Sequence, residues 1–182
     1  MNILEKEIED LICDCLDRDV SILRKRGLTV YPYYIRQLEL GSYGIADIVT
    51  FEKYGSTLYV KIFELKKEII DTNTLVQAAK YAKGIDRMLK NYNIGNHGIV
   101  YSFALIGKTI QRNGDFVFLC DMLNIDLYTY SIDMEYGVIF NKECNFHHIK
   151  ETTGKFNKKQ KNYILKSFYG ERYLDADENL IF

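Results

Sequence analysis

The chain has 182 residues, 47% of them hydrophobic and 27% charged, a balance typical of one globular domain that buries a core. Its 24 basic and 25 acidic side chains leave a net charge of −1, which excludes the cationic body of an avid, non-specific nucleic-acid binder and makes any such contact local. No run approaches the roughly 18 apolar residues that span a bilayer; the cysteines Cys13, Cys15, Cys120 and Cys144 show no paired spacing, so a soluble, cytoplasmic protein with reduced thiols is expected rather than a membrane, zinc or disulfide-framed one.

From the N-terminus, Ile3, Leu4, Ile8, Leu11, Ile12, Cys15 and Leu16 fall at helical spacing over residues 2 to 17, which predicts an amphipathic helix. After Gly27, the Tyr-, Val-, Ile- and Thr-rich segment from Leu28 to Leu40 reads as a strand, and Pro32 puts it at a sheet edge or a bend. Gly41 and Gly44 precede a second strand, Ile45 to Glu52, and Tyr54-Gly55-Ser56 turns into a third, Thr57 to Lys66, making a β-hairpin. Thr72 or Asn73 then caps a long helix in which Leu75, Val76, Ala79, Tyr81, Ala82, Ile85 and Leu89 keep a helical repeat. His97 to Ile106 reads as a strand, Phe116 to Leu123 is ambiguous, and residues 126 to 132 and 136 to 141 read as strands. The order predicts an α/β fold with a central mixed sheet flanked by helices. Residues 1 to 145 form the domain, and 146 to 182, basic then acidic, a C-terminal helical extension of it. Within that extension Lys150, Lys155, Lys158, Lys159, Lys161, Lys166 and Arg172 outnumber Glu151 and Glu171, which suits a local nucleic-acid surface or, equally, a solvated helix face.

The chemistry lies in the hairpin. Alternate strand residues share a face, so Glu64 and Lys66 stand together at the end of a stripe made of Leu58, Val60 and Ile62. With the turn centred on Gly55, antiparallel pairing sets Asp47 opposite residue 62 or 63, a diagonal neighbour of Glu64. Two converging carboxylates at a half-buried strand end repel unless a cation neutralises them. Oxygen ligands from Asp47 and Glu64, joined by the Leu65 carbonyl and waters, match Mg²⁺. Such an ion polarises a phosphodiester and acidifies a water, while Lys66 positions that water or stabilises charge on the phosphate. An exposed cross-strand ion pair accounts for Glu64 and Lys66 alone equally well. His97, His147 and His148 offer too few well-placed partners for a histidine metal site.

Taken together, Arg36-Gln37, Gly44-Ile45-Ala46-Asp47-Ile48-Val49, Glu64-Leu65-Lys66, and Gln77 followed by Tyr81 resemble the PD-(D/E)xK, or restriction-endonuclease-like, nuclease superfamily, with the catalytic domains of mismatch-specific endonucleases the nearest likeness. The resemblance covers about residues 3 to 130. It implies a restriction-endonuclease-like fold, Asp47 and Glu64 as metal ligands, Lys66 as the catalytic lysine, and Gln77 reaching into the site from the following helix. Tyr81, one turn on, shares the face of Gln77 or serves as a core aromatic. The family's upstream helix glutamate falls on Glu5 or Glu9, one turn apart. Ala46 stands where the family name has proline, a position that is not a ligand. Phosphate contacts fall to Lys61, Lys67, Lys80, Lys83, Arg87 and Lys90 with the C-terminal segment.

The resemblance implies an enzyme: a Mg²⁺-dependent nuclease, with Mn²⁺ able to substitute, hydrolysing DNA in restriction, repair, recombination or mobile-element conflict. The alternatives are a catalytically silent module of the same fold that binds nucleic acid or a protein, and an unrelated α/β protein whose tyrosines Tyr31, Tyr33, Tyr34, Tyr128 and Tyr130 serve association. A homodimer is the economical way to pair two sites on a duplex. The sequence leaves DNA against RNA, strandedness and sequence preference open.

Overall fold

A computed structural model describes residues 4–92, 98–112, 114–123, 125–143, 157–160, 164 and 167. The chain divides into two compact units, Met1–Phe146 and His147–Phe182.

In the first unit a six-stranded mixed sheet has the order β1-β2-β3-β5-β7-β8. Its strands are β1 (Tyr33–Glu39), β2 (Ile45–Tyr54), β3 (Thr57–Leu65), β5 (Gly98–Gly107), β7 (Asp126–Asp133) and β8 (Gly137–Lys142). β2 runs antiparallel to both of its neighbours, β1 and β3; β3, β5 and β7 run parallel, and β8 returns antiparallel to β7. Parallel neighbours need crossovers. These are supplied by α3 (Thr72–Asn91) between β3 and β5, and by α4 (Gly114–Met122) between β5 and β7. The segment left ambiguous, Phe116 to Leu123, is thus largely the helix α4. Two short strands, β4 (Ile69–Ile70) and β6 (Thr109–Ile110), pair with each other just past the ends of β3 and β5.

The helices cover both faces. α1 (Glu5–Arg18) and α2 (Val20–Lys25) pack Ile8, Ile12, Cys15 and Leu23 against Phe63, Leu65, Ile106 and Tyr128. On the opposite face α3 sets Tyr81, Ile85 and Leu89 against Val49, Val60 and Ile62, while Leu75 and Ala78 join Phe116 and Cys120 of α4 over Leu105 and Leu127. β3 is therefore buried on both sides, with Lys61, Phe63 and Leu65 facing α1, and Val60, Ile62 and Glu64 facing α3. No helix among the described residues is long and apolar enough to cross a membrane.

Several elements differ from expectation. The first strand is shorter: Leu28 and Val30 are core residues ahead of β1, which does occupy a sheet edge. α2 is an additional helix, capped by Asp19, whose carboxylate accepts from the Ser21 N–H at 2.8 Å. α3 is capped by Asp71 rather than by Thr72 or Asn73, its carboxylate accepting from Thr74 N–H at 2.9 Å. Val76 and Ala79, expected in the apolar repeat, are exposed, and Ala78 is buried instead. Of the tyrosines considered for an association surface, Tyr33 is 73% exposed whereas Tyr128 is buried, and Tyr34 and Tyr130 hydrogen-bond Asp17 and the Lys67 carbonyl. Cys13, Cys15 and Cys120 are buried free thiols.

In the second unit Asn157 and Gln160 exchange backbone-to-side-chain hydrogen bonds, at 3.0 and 2.9 Å, a reciprocal cap that opens helical residues 158–160. Lys158 and Lys159 are exposed. The other basic residues expected there, with His97, His147, His148 and Cys144, lie outside the described residues.

Candidate active site

The β2–β3 turn is the tight Gly55-Ser56 pair, with Gly55 at φ 57°, and Tyr54 pairs with Thr57. The register runs through Ile48 opposite Phe63, and its continuation puts Asp47 directly opposite Glu64. That is one to two residues from the expected partner and brings the carboxylates closer than a diagonal contact does. The Leu65 N–H donates to Asp47 Oδ2 at 2.8 Å, tying the two strand ends together. Lys66 extends the ladder beyond β3, its N–H donating to the Ile106 carbonyl at 2.8 Å, so its backbone is held by β5.

Glu64 is 1% exposed. Lys66 Nζ donates to its Oε1 at 2.7 Å and to Gln77 Oε1 at 3.3 Å. Gln77 in turn donates through Nε2 to the Tyr81 hydroxyl. A chain of side chains thus runs from α3 to the carboxylate pair. Gly44, at φ 100°, makes room for it, because a Cβ there would lie 3.1 Å from Tyr81 Cε1. Glu64 Oε2 is buried and, among the described residues, without a hydrogen-bond partner.

The electrostatics follow from this burial. Burial pushes Asp47 up to about 6 against the Leu65 N–H, which favours its charged form, with Glu9 adding repulsion. Burial and then the neighbouring Asp47 push Glu64 up to about 7 against Lys66. For Lys66, burial opposes the ammonium, but the bond to Glu64 and the charges of Glu64, Glu5 and Asp47 outweigh it and raise its pKa. A lysine kept cationic beside two acids that resist ionisation is a site short of positive charge.

The two helix acids divide. Glu9 is buried and has both oxygens engaged, Oε1 by Arg36 Nε and Oε2 by Gln37 Nε2 at 2.9 Å. Glu5 uses Oε1 to accept from the Lys67 N–H at 2.7 Å. Gln37 lies between the pairs Arg36–Ile48 and Leu38–Ala46 of the β1–β2 register and adopts φ 48°, a left-handed conformation costly for a non-glycine residue and characteristic of sites where geometry is imposed. No sequence signal marked that role, although Arg36-Gln37 belongs to the pattern that drew the resemblance. Glu5, Glu9, Arg36, Gln37, Asp47 and Lys67 line an open cleft of about 660 Å³ at the ends of β2 and β3.

Among the described residues no group of three or more His, Cys, Asp or Glu side chains is placed to hold a metal ion by itself. Asp47 lines the cleft and Glu64, which does not, lies behind it with a buried unpartnered oxygen; such a carboxylate pair fits a hard cation that retains several waters, as Mg²⁺ does. The side chains expected to contact phosphate differ in exposure. Lys61 is 4% exposed and paired with Asp126 at 2.6 Å, so it is structural. Lys83 and Lys90 flank Asp86 at 4.0 and 2.9 Å but remain exposed, as do Lys80 and Arg87. Comparison of the chain with protein-family models, with curated proteins and with solved structures finds no match.

Proposed function

We propose that this chain is a Mg²⁺-dependent nuclease of the PD-(D/E)xK type, with a restriction-endonuclease-like fold, that hydrolyses phosphodiester bonds in DNA. The observation that carries the reading is Glu64 Oε2, buried and without a partner beside Asp47. Desolvating an anionic oxygen without a donor costs several kcal/mol, on the order of 2 or more, and a cation at the cleft removes that cost.

Asp47 and Glu64 are the metal ligands, with the Leu65 carbonyl and waters completing the shell. When bound, Mg²⁺ or Mn²⁺ polarises the phosphodiester and lowers the pKa of water. Lys66 is the catalytic lysine: its ammonium, held between Glu64 and Gln77, orients the attacking water and offsets charge growing on the phosphate. Gln77 positions Lys66, and Tyr81 positions Gln77. Of the two helix acids we assign the family's upstream helix glutamate to Glu5, because Arg36 and Gln37 engage both oxygens of Glu9.

The test is cleavage of a labelled panel of single-stranded, duplex, mismatched and branched DNA, with RNA for comparison, in Mg²⁺ or Mn²⁺ and in EDTA. Cleavage is expected to require the metal, to vanish in Asp47→Ala, and to fall by about 100-fold in Lys66→Ala with folding unchanged. Absence of cleavage across the panel, or cleavage indifferent to both substitutions, overturns the assignment.

A further inference from the structure

A second cavity, of about 380 Å³, lies between the 3-10 turn Gly41–Tyr43 and the C-terminal half of α3, lined by Glu39, Leu40, Tyr43, Arg87, Asn91 and Tyr92 among others. Gly84 seats that turn on the helix, because a Cβ there would lie 2.9 Å from Tyr43 Cβ and 3.1 Å from Leu40 Cβ. The same two elements carry the candidate active site. The 3-10 turn leads through Gly44 into the strand of Asp47, and α3 carries Gln77. Gln77, Gly84 and Asn91 are spaced by seven, about two helical turns, so they share a face and Gly84 sits about 10 Å along the axis from Gln77. Lys80 and Arg87, both exposed, border that line on one side.

The groups in and beside this cavity have a specific chemistry. Tyr43 and Tyr92, the latter 73% exposed, offer two aromatic rings. Arg87 offers a flat cation that stacks on π-faces, and Asn91 a carboxamide that both donates and accepts. Aromatic faces, a guanidinium and a carboxamide are the means by which proteins hold an unstacked base, and lysines beside them track its backbone. A paired base inside a duplex cannot enter a concave pocket without leaving its stack.

We propose that this cavity holds an unpaired nucleobase of the DNA strand whose phosphodiester lies at Asp47 and Glu64, with Arg87 stacking on the base and Lys80 contacting the backbone between the two sites. The proposal rests on the nuclease reading for the identity of its ligand and specifies the substrate as single-stranded or locally unpaired DNA.

Binding without turnover separates the two ideas. With the full chain in EDTA, fluorescence anisotropy of a labelled oligothymidylate is compared with a blunt duplex of equal length, for the wild type and for Tyr92→Ala, Tyr92→Phe and Arg87→Ala. Single strands are expected to bind at least tenfold more tightly than duplex. Tyr92→Ala and Arg87→Ala should each weaken single-strand binding about tenfold, with Tyr92→Phe restoring it because the ring suffices. Thymidine monophosphate should not displace the oligonucleotide at comparable concentration. Photocrosslinking of a 5-iodouracil strand, mapped by mass spectrometry, should label Tyr43 or Tyr92. Equal affinity for duplex and single strand, unchanged binding in both alanine variants, or efficient displacement by the mononucleotide overturns the proposal. If the expected preference for single strands and the losses in Tyr92→Ala and Arg87→Ala are found while no DNA is cut, the base site stands and the nuclease reading fails; metal-dependent cleavage with Tyr92 and Arg87 indifferent has the reverse meaning.

Discussion

The behaviour of Asp47 and Glu64 follows from where a strand ends. Both side chains sit at the ends of the paired hairpin strands, and burial disfavours their charged forms, raising their pKa values to about 6 and about 7. A carboxyl whose folded pKa lies above its unfolded value of about 4 stabilises the protonated protein relative to the ionised one. In the metal-free protein the cost is therefore absent below about pH 4, grows as pH rises towards 7, and is complete above it. Glu64→Gln in EDTA should accordingly raise the unfolding free energy by about 2 kcal/mol near pH 8 and leave it unchanged near pH 4, measured by urea denaturation at both values. An equal change at both pH values contradicts the assignment. At this scale the sequence made the carboxylates legible, because strand parity needs only a period of two. It did not reveal that Glu9 is occupied by Arg36 and Gln37 or that Gln37 is left-handed, since those facts depend on α1 docking beside β1, 27 and 28 residues away in sequence.

Among the elements, the hairpin and α3 together carry the site, and small local choices set their geometry. Centring the turn on Gly55 rather than between Gly55 and Ser56 shifts the pairing by a residue or two, enough to turn a facing pair into a diagonal one. For α3 the sequence predicts Thr72 or Asn73 as the cap, but the cap is Asp71, whose backbone is extended and whose carboxylate accepts from Thr74 N–H. Thr74 N–H holds the Asp71 carboxyl below its usual range despite some burial. Asp71→Ala should therefore cost about 1 kcal/mol near neutral pH, and the difference should shrink as pH falls through the folded pKa and the wild-type cap is protonated. Urea denaturation at neutral and acid pH checks both statements. The six-residue α2 escaped notice because so short a segment carries less than two turns of periodicity.

At the scale of the whole molecule, the mixed sheet with helices on both faces was readable from the alternation of strand and helix signals. The partners that cross it were not. Lys61 looked like a phosphate contact because lysine is usually solvated, yet β3 is a central strand, and Lys61 lies inside against Asp126, which also binds Lys142 at 2.5 Å. Asp126→Ala, which strips a 4% exposed ammonium of its partner, should destabilise the protein by about 3 kcal/mol. Lys61→Met should cost less than half as much, because it keeps the apolar stem and leaves Asp126 its second lysine. Unfolding free energies of the two variants give the comparison, and the opposite ranking would show that the pair is not buried as described. The rest of the account depends on the sheet delivering Asp47 and Glu64 to one cation, and the most direct test is calorimetric titration of Mn²⁺ into the intact protein and into Asp47→Asn and Glu64→Gln. Saturable binding is expected near pH 8, releasing few protons, weakening by at least tenfold in either variant, and weakening in the wild type as pH falls below about 7, where Glu64 and then Asp47 take up protons. Binding that is absent in the wild type, or that survives both substitutions unchanged, would contradict it.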